Sequence, residues 1–276
     1  MRKHNFQIHV KSNGHSAYSS DSIKNERTRY TERRSPLSGG SAYTFTSTDF
    51  DHCESQQSSA DGGALCCLLG SLTIEDCSFT NCQSVNRSGA VFFQSQNLCN
   101  DTNNLFVNCS SDWHSGTFDD WSATKSIHSE SKYINSDAGG GCGIMNVEAT
   151  PDGTLSSCIF INGTAALHSG LLCITKIKGH VKVSNCIFSK GSAKAWGGGF
   201  GTYENYTGTP RPYFYYSFFC NNVCSDQNRG ADFDANGTTG QYYTKDKIIH
   251  CFSSSRGHRV YIEGKSADVD NWLPQG

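Results

Sequence analysis

CSFTNCQSVNRSGAV at residues 77–91 returns 27 residues later as NLFVNCSSDWHSGTF at 104–118, and again as CIFINGTAALHSGLL at 158–172. Each copy sets an aromatic two residues after a small residue. Asn follows two residues after the aromatic, Gly ten after it and an apolar residue twelve after it. Working outward, the aromatics are Phe50, Phe79, Phe106, Tyr133, Phe160, Phe188, Phe219 and Phe252, at steps of 29, 27, 27, 27, 28, 31 and 33 residues. A fixed period of this size marks one structural unit stacked many times.

Each column then has a physical task. Residues two apart on a strand point to the same side, so the small residues (Cys77, Asn104, Ser131, Cys158, Cys186 and Ser217) share a side with the aromatics. Parallel coils about 4.8 Å apart stack like on like, so the aromatics form a continuous core. The Asn column (Asn81, Asn108, Asn135, Asn162 and later Asn221) predicts a ladder of side-chain amides at a turn, where Asn tolerates a left-handed backbone. The Gly column (Gly89, Gly116, Gly143, Gly170, Gly198) predicts a second tight bend. The apolar column is Val91, Phe118, Met145, Leu172 and Phe200. A third strand precedes each unit, as in Leu72-Thr-Ile74, at Leu155 and in Val181-Lys-Val183. There is no leucine-rich repeat pattern and no helical periodicity. The expected fold is all-β, a right-handed parallel β-helix of about eight coils and about 38 Å long. It spans residues 41–265, after a basic flexible segment at 1–40 and before a tail at 266–276.

Gly62-Gly-Ala-Leu65, Ser88-Gly-Ala-Val91 and Ser169-Gly-Leu-Leu172 alternate with Phe79-Thr-Asn-Cys82, Phe106-Val-Asn-Cys109 and Phe160-Ile-Asn-Gly163. Over residues 43–262 this resembles the repeats of polymorphic outer membrane proteins. It resembles even more closely the Cys-rich β-helix surface proteins of parasitic protists. The resemblance implies a cell-surface location and an adhesive role.

Composition agrees with many short strands and turns: 28 Gly, 5 Pro and 36% apolar residues. Residues 1–40 carry eight Lys/Arg against three Asp/Glu. Their Ser, Asn and Arg content predicts a solvated segment rather than a nucleic-acid arm. The opening residues MRKHN lack the apolar stretch of a secretory signal, and no apolar run reaches the ~18 residues of a membrane span. Fourteen cysteines occur without a C-x-x-C pair, so no zinc site is expected. Cys158 and Cys186 share one column, and Cys53, Cys82 and Cys109 another. In-register parallel strands hold such Cβ atoms ~4.8 Å apart, beyond the ~3.5–4.5 Å of a disulfide, so these thiols are expected to be reduced.

Parallel β-helices also host pectin lyase-like enzymes, which act through carboxylates on neighbouring coils. Asp119-Asp120 and the Asp232/Asp234 pair are the obvious acids. They lie about four coils, roughly 19 Å, apart, too far for a glycosidase pair at ~5–9.5 Å. Beside Asp119 the adjacent coils carry Phe92 and Asn146; Asp232 is placed beside Gly201 and Lys265. These acids are expected to be solvated turn residues, although a loop could bring Glu148 or Glu204 to Asp119. Lys176, Lys178 and Arg256 are unplaced bases. Gly197–Gly201 has no helix after it and is no phosphate loop. His52, His114, His168 and His258 are expected in turns or at the surface. No catalytic residue, metal site or cofactor is assigned. Of the six N-x-S/T sequons (Asn86, Asn100, Asn108, Asn162, Asn205, Asn236), Asn108 and Asn162 are expected to be inaccessible within the ladder.

One surface feature is unusual. The positions flanking the inward aromatics should be polar, as Ser78 and Thr80 are. They become Leu105, Val107, Ile134, Ile159, Ile161, Ile187 and Phe218 further along. An apolar outward stripe is normally covered, by the chain's own segments (1–40 or 203–213) or by another chain. The expected function is therefore a non-catalytic scaffold of surface or adhesion type. It would bind a protein or glycan along its side and could self-associate. The alternative is a carbohydrate-active β-helix enzyme.

Overall fold

The structure, a computed structural model, describes residues 9–11, 28–30, 37, 42–56, 61–176, 178–202, 211–226, 228–235, 248–256, 259–262 and 272–275. It is an all-β parallel solenoid of about seven turns. Three sheets run along its length. A typical turn contributes Leu98–Thr102 to the first sheet, Leu105–Val107 and Ser110–Ser111 to the second, and Phe118–Trp121 to the third. Each strand pairs in parallel with its equivalent one coil on: Phe79 with Phe106, Phe106 with Tyr133, Tyr133 with Phe160.

Seven of the eight expected aromatics stack. From Phe50 through Phe79, Phe106, Tyr133, Phe160 and Phe188 to Phe219, successive ring centroids are 4.6, 4.6, 4.9, 4.9, 5.1 and 4.8 Å apart and the ring planes are nearly parallel. Phe252 is the exception. After the 33-residue step the register is one residue out. Ser253 occupies the column beside Phe219, while Phe252 pairs with Phe218 on the outside and is 44% exposed.

Two corners of each turn consist of a single left-handed residue. One is the Asn column, with φ of 54°, 54°, 55°, 55° and 53° at Asn81, Asn108, Asn135, Asn162 and Asn221. Asn108 Nδ2 donates to Asn81 Oδ1 at 3.2 Å, Asn135 to Asn108 at 3.2 Å and Asn162 to Asn135 at 2.9 Å. Asn108 and Asn162 are exposed, not hidden as expected, because the ladder runs along the outside of the corner. The second left-handed corner joins the first sheet to the second, at Asp76, Asn103, Glu130, Ser157 and Asn185. It repeats a conformation but not a residue type.

The Gly column serves a different purpose from the bend expected of it. Positive φ among the described glycines occurs at Gly62 and Gly70 only. What excludes a side chain at the column is the next coil. A Cβ on Gly116 would lie 2.1 Å from Gly143 O, and one on Gly143 would lie 2.1 Å from Gly170 O.

Within the stretch read as a flexible arm, Thr28–Tyr30 adds a parallel strand beside Thr48–Phe50, and His9–Lys11 pairs antiparallel with Ala42–Thr44. At the other end Leu273 is buried in the core, and Ser253 N donates to Pro274 O at 2.9 Å. No helix among the described residues is long and apolar enough to cross a membrane.

Candidate functional site

Two polar clusters break the apolar regularity, one inside the solenoid and one on the third sheet. The inner one arises because the inward column of the first sheet runs Phe45, Ile74, Asp101, His128, Leu155, Val183, with two ionisable residues in mid-column. All of Asp101, Asp120, Ser126, His128 and Tyr133 are fully buried. His128 Nδ1 lies 3.1 Å from Asp101 Oδ2, and His128 Nε2 lies 3.0 Å from Ser126 Oγ and 3.6 Å from Asp120 Oδ2. Asp101 also accepts from Tyr133 OH, from Asn104 Nδ2 at 2.5 Å and from Ser131 Oγ at 3.1 Å; Ser126 donates to Asp120. Burial alone would lower the His128 pKa, but the two carboxylates outweigh it and raise it to about 9, so the ring is a cation between two acids. The cluster is sealed from solvent and serves as a polar layer in the core. Asp120 is thus a core residue rather than a solvated turn acid, because strand alternation turns Phe118 and Asp120 inward and Asp119 outward.

The outer cluster lies on the far side of the third sheet. The outward column there is Cys66, Phe92, Asp119, Asn146, Cys173, Gly201, Asp234, Tyr261. It is Asp234, not Asp232, that lies beside Gly201. Its other neighbour is Tyr261, while Lys265 lies outside the described residues. Asp232 instead turns inward, accepting from Asn222 Nδ2 at 2.9 Å, from Ser255 Oγ at 2.5 Å and from Ser253 Oγ. Asp119, Asp232 and Asp234 are all buried, contrary to the expectation of solvated turns.

The loops that follow the second sheet fold back over this column and cover it. Five residues before Asp119 is His114, whose Nδ1 lies 3.2 Å from Asp119 Oδ2. Burial would raise the Asp119 pKa, yet His114, Asn146 and Arg87 together hold it below the ordinary carboxylate value. Asn146 Nδ2 donates to Asp119 Oδ1 at 3.0 Å and to Glu148 Oε2 at 3.3 Å; Lys176 Nζ donates to Glu148 Oε1 at 2.9 Å. Glu148 therefore reaches Asp119 through the adjacent strand, with no loop needed. Lys176 is placed on the same face, whereas Glu204 lies outside the described residues.

Aromatic rings frame the cluster. The Arg87 guanidinium lies 4.4 Å from the Trp121 ring and 5.4 Å from that of Trp113. His168 stacks on Trp196 at 4.3 Å. Burial, helped by the nearby His114, lowers the His168 pKa to about 4, so it is neutral near pH 7. Trp113 is 54% exposed. It rests on the backbone of the Gly139–Gly141 loop, since a Cβ on Gly140 would meet its ring at 3.0 Å and one on Gly141 would meet the His114 ring at 2.8 Å. A disulfide from Cys142 to Cys173 ties that loop to the sheet beneath. The other twelve cysteines, including Cys158 and Cys186, are not in disulfides.

Of the expected surface histidines, His52 is exposed beside Asp51, whereas His114 and His168 belong to the covered cluster. His258 lies outside the described residues. The apolar row sits on the second sheet. Leu105 and Ile187 are each 39% exposed, and Val107, Ile134, Ile159, Ile161 and Phe218 are half-buried. Lys132 interrupts it between Leu105 and Ile159. No group of His, Cys, Asp and Glu among the described residues has the arrangement of a metal site. Comparison with protein-family models, curated proteins and solved structures finds no match.

Proposed function

We propose that this solenoid is a non-catalytic binding scaffold whose third sheet recognises a glycan. The observation that carries the reading is the convergence of three of the chain's four tryptophans on one face. Trp113 and Trp121 share Arg87, and Trp196 is stacked on His168 next to His114. Indole faces pack against the C–H faces of sugar rings, and the Lys176 ammonium, about half exposed at the edge of the cluster, suits hydroxyl recognition. Asp119 is sealed beneath His114 and cannot reach a glycosidic oxygen, which a general acid must do. A surface, adhesive setting fits this reading and the resemblance of the repeats. The same reading gives the row from Leu105 to Phe218 to a protein contact, in the simplest case a second copy of the chain.

One observation favours a carbohydrate-active enzyme as the second reading. A single amide nitrogen, Asn146 Nδ2, bridges Asp119 and Glu148, so the two carboxylates are no farther apart than glycosidase pairs at ~5–9.5 Å. Glycan-array binding by the whole chain, followed by titration calorimetry on Trp113→Ala, tests both. Binding lost in the variant, with no product released from bound glycans, supports the scaffold. Product release that stops in Glu148→Gln supports the enzyme. An array with no bound glycan refutes both.

A further inference from the structure

The outward face of the first sheet changes character along the axis. Towards the N-terminal end its residues are mostly short and polar or acidic, as at Thr44, Thr73, Glu75, Asn100 and Asp152. Towards the C-terminal end they become His180 and Lys182, then Tyr213 and Tyr215, then Ile249. The left-handed corner beside this sheet changes in the same way: Asp76, Asn103, Glu130, Ser157 and Asn185 give way to Tyr216 and His250. A φ of 50° favours short polar residues, so a tyrosine there is costly to the backbone. Tyr216 is nevertheless 61% exposed, with its ring centroid 5.0 Å from that of His250. Phe252, two residues further on and 44% exposed, carries the group onto the second sheet.

Lys178, His180 and Lys182 alternate along one edge of these aromatics and are exposed. Lys182 Nζ lies 5.6 Å from the Tyr215 ring centre, and the His180 and Tyr213 ring centroids are 6.2 Å apart. Residues 180–190, 211–224 and 248–256, which build this end of the first two sheets, contain no Asp or Glu. The acid that borders them is Asp152, in register with His180. The other end of the same faces carries Asp49, Asp51, Glu54, Glu75, Asp76 and Glu130. We propose that this acid-free corner docks on the surface of a lipid bilayer with anionic headgroups. Tyrosine, with an apolar ring and a wet hydroxyl, suits the headgroup level. Phe252 and Ile249 have no polar group to offer a sugar or a nucleotide and gain from the acyl boundary instead. The lysines at the rim are drawn to anionic headgroups, which the acids at the far end would repel. The chain would lie on the bilayer without crossing it. The inference uses no residue of the third sheet, so it stands apart from the glycan reading.

The test is flotation of the whole chain with vesicles of phosphatidylcholine alone and of phosphatidylcholine mixed with phosphatidylserine. The expected result is binding to the mixed vesicles at least about tenfold tighter than to the neutral ones. Raising the salt should shrink that ratio. Tyr216→Asn combined with Phe252→Ser should weaken binding to both kinds of vesicle at least about tenfold. Asn already stands at this corner as Asn103 and Asn185, so the fold accepts it. Lys178→Gln combined with Lys182→Gln should remove the preference for mixed vesicles and leave the weak binding to neutral ones. Absence of binding to either vesicle overturns the inference. Binding that both double variants leave unchanged assigns it to another surface and also overturns it. If a sulfated polysaccharide or a single-stranded oligonucleotide binds and vesicles do not, the corner belongs to that polymer and the inference falls. It falls equally if vesicles do not bind and the Tyr216/Phe252 variant dissociates a dimer in size exclusion. Should that variant fail to fold by thermal melting, the lysine variant and the salt series decide.

Discussion

Replacing His128 by Leu removes the one cation from a sealed pair of carboxylates. Its neighbours in the column are Asp101 and Leu155, so Leu fits the column and the charge is what changes. Folding raises the His128 pKa from 6.5 to about 9. At 1.36 kcal/mol per unit this is about 3 kcal/mol, with no discount for solvent because the ring is fully buried. Breaking a buried ion pair by removing one partner costs about 3–5 kcal/mol, the same range. The sign follows from the direction of the shift. The folded protein holds the proton more tightly, so the contribution is complete below pH 6.5 and disappears as pH rises through 9. Buried thiols complicate the alkaline side, since Cys67 is pushed up to about 12 and others are also raised, so unfolding releases their protons too. That effect is common to wild type and variant and cancels in their difference. Urea denaturation of both at pH 6, 7.5 and 9.5 should show His128→Leu less stable by about 3–5 kcal/mol at pH 6, with the gap narrowing steadily at higher pH. A gap independent of pH would mean that His128 is uncharged in the fold and that the assignment is wrong.

Four further outcomes are expected. Phe160→Ala, between Tyr133 and Phe188, should cost about 3–5 kcal/mol in chemical denaturation; a cost below about 1 kcal/mol would mean the stack is not a packed core. Alkylation of the denatured, non-reduced protein followed by mass spectrometry should show Cys142 and Cys173 joined and Cys158 and Cys186 free; a Cys158–Cys186 bridge in most molecules contradicts the stacked-thiol column. Asn135→Ala removes two ladder bonds and puts a Cβ-bearing residue without a compensating amide at φ 55°, so it should cost about 1–3 kcal/mol. Asn135→Gly should cost less, and equal melting temperatures for the two would argue against the left-handed corner. Changing Ile159 and Ile187 together to Asp should leave the melting temperature within a few degrees while dissociating any dimer seen by size exclusion; a large loss of stability would show the row to be covered internally.

The aromatic, Asn and apolar columns were legible because the same residue type recurs at the same step, and like-on-like stacking turns that recurrence directly into contacts. Legibility failed wherever a column changed type. Asp101 and His128 are 27 residues apart, in line with Ile74 and Leu155, and the same step would have paired them. Polar residues in an apolar column do not register in a search for apolar recurrence. Cys142 and Cys173 belong to different columns, one in a covering loop and one on a strand, so comparing equivalent positions could not join them. The last coil was misread because its 33-residue step left two adjacent candidates, Phe252 and Ser253, and the aromatic one points outward. The covering loops were not expected over the third sheet, and without them Asp119 and Asp234 looked like solvated turn acids.

The two single-residue corners leave the chain no slack on either side of the second sheet's aromatic strand. Length differences must therefore enter elsewhere. The connection from the third sheet to the next first-sheet strand runs from Gln94 to Leu98 and from Trp121 to Lys125 in the short coils, but from Thr202 to Arg211 and from Ala235 to Ile248 in the long ones. The path from second to third sheet varies less, from Ser111 to Phe118 in a typical coil to Ser55 to Leu65 and Cys224 to Phe233 in two others. Growth of the gene within a coil is thus confined to the two connections that flank the third sheet, so the solenoid is a modular platform whose aromatic strand is a fixed rung and whose insertions gather around one sheet.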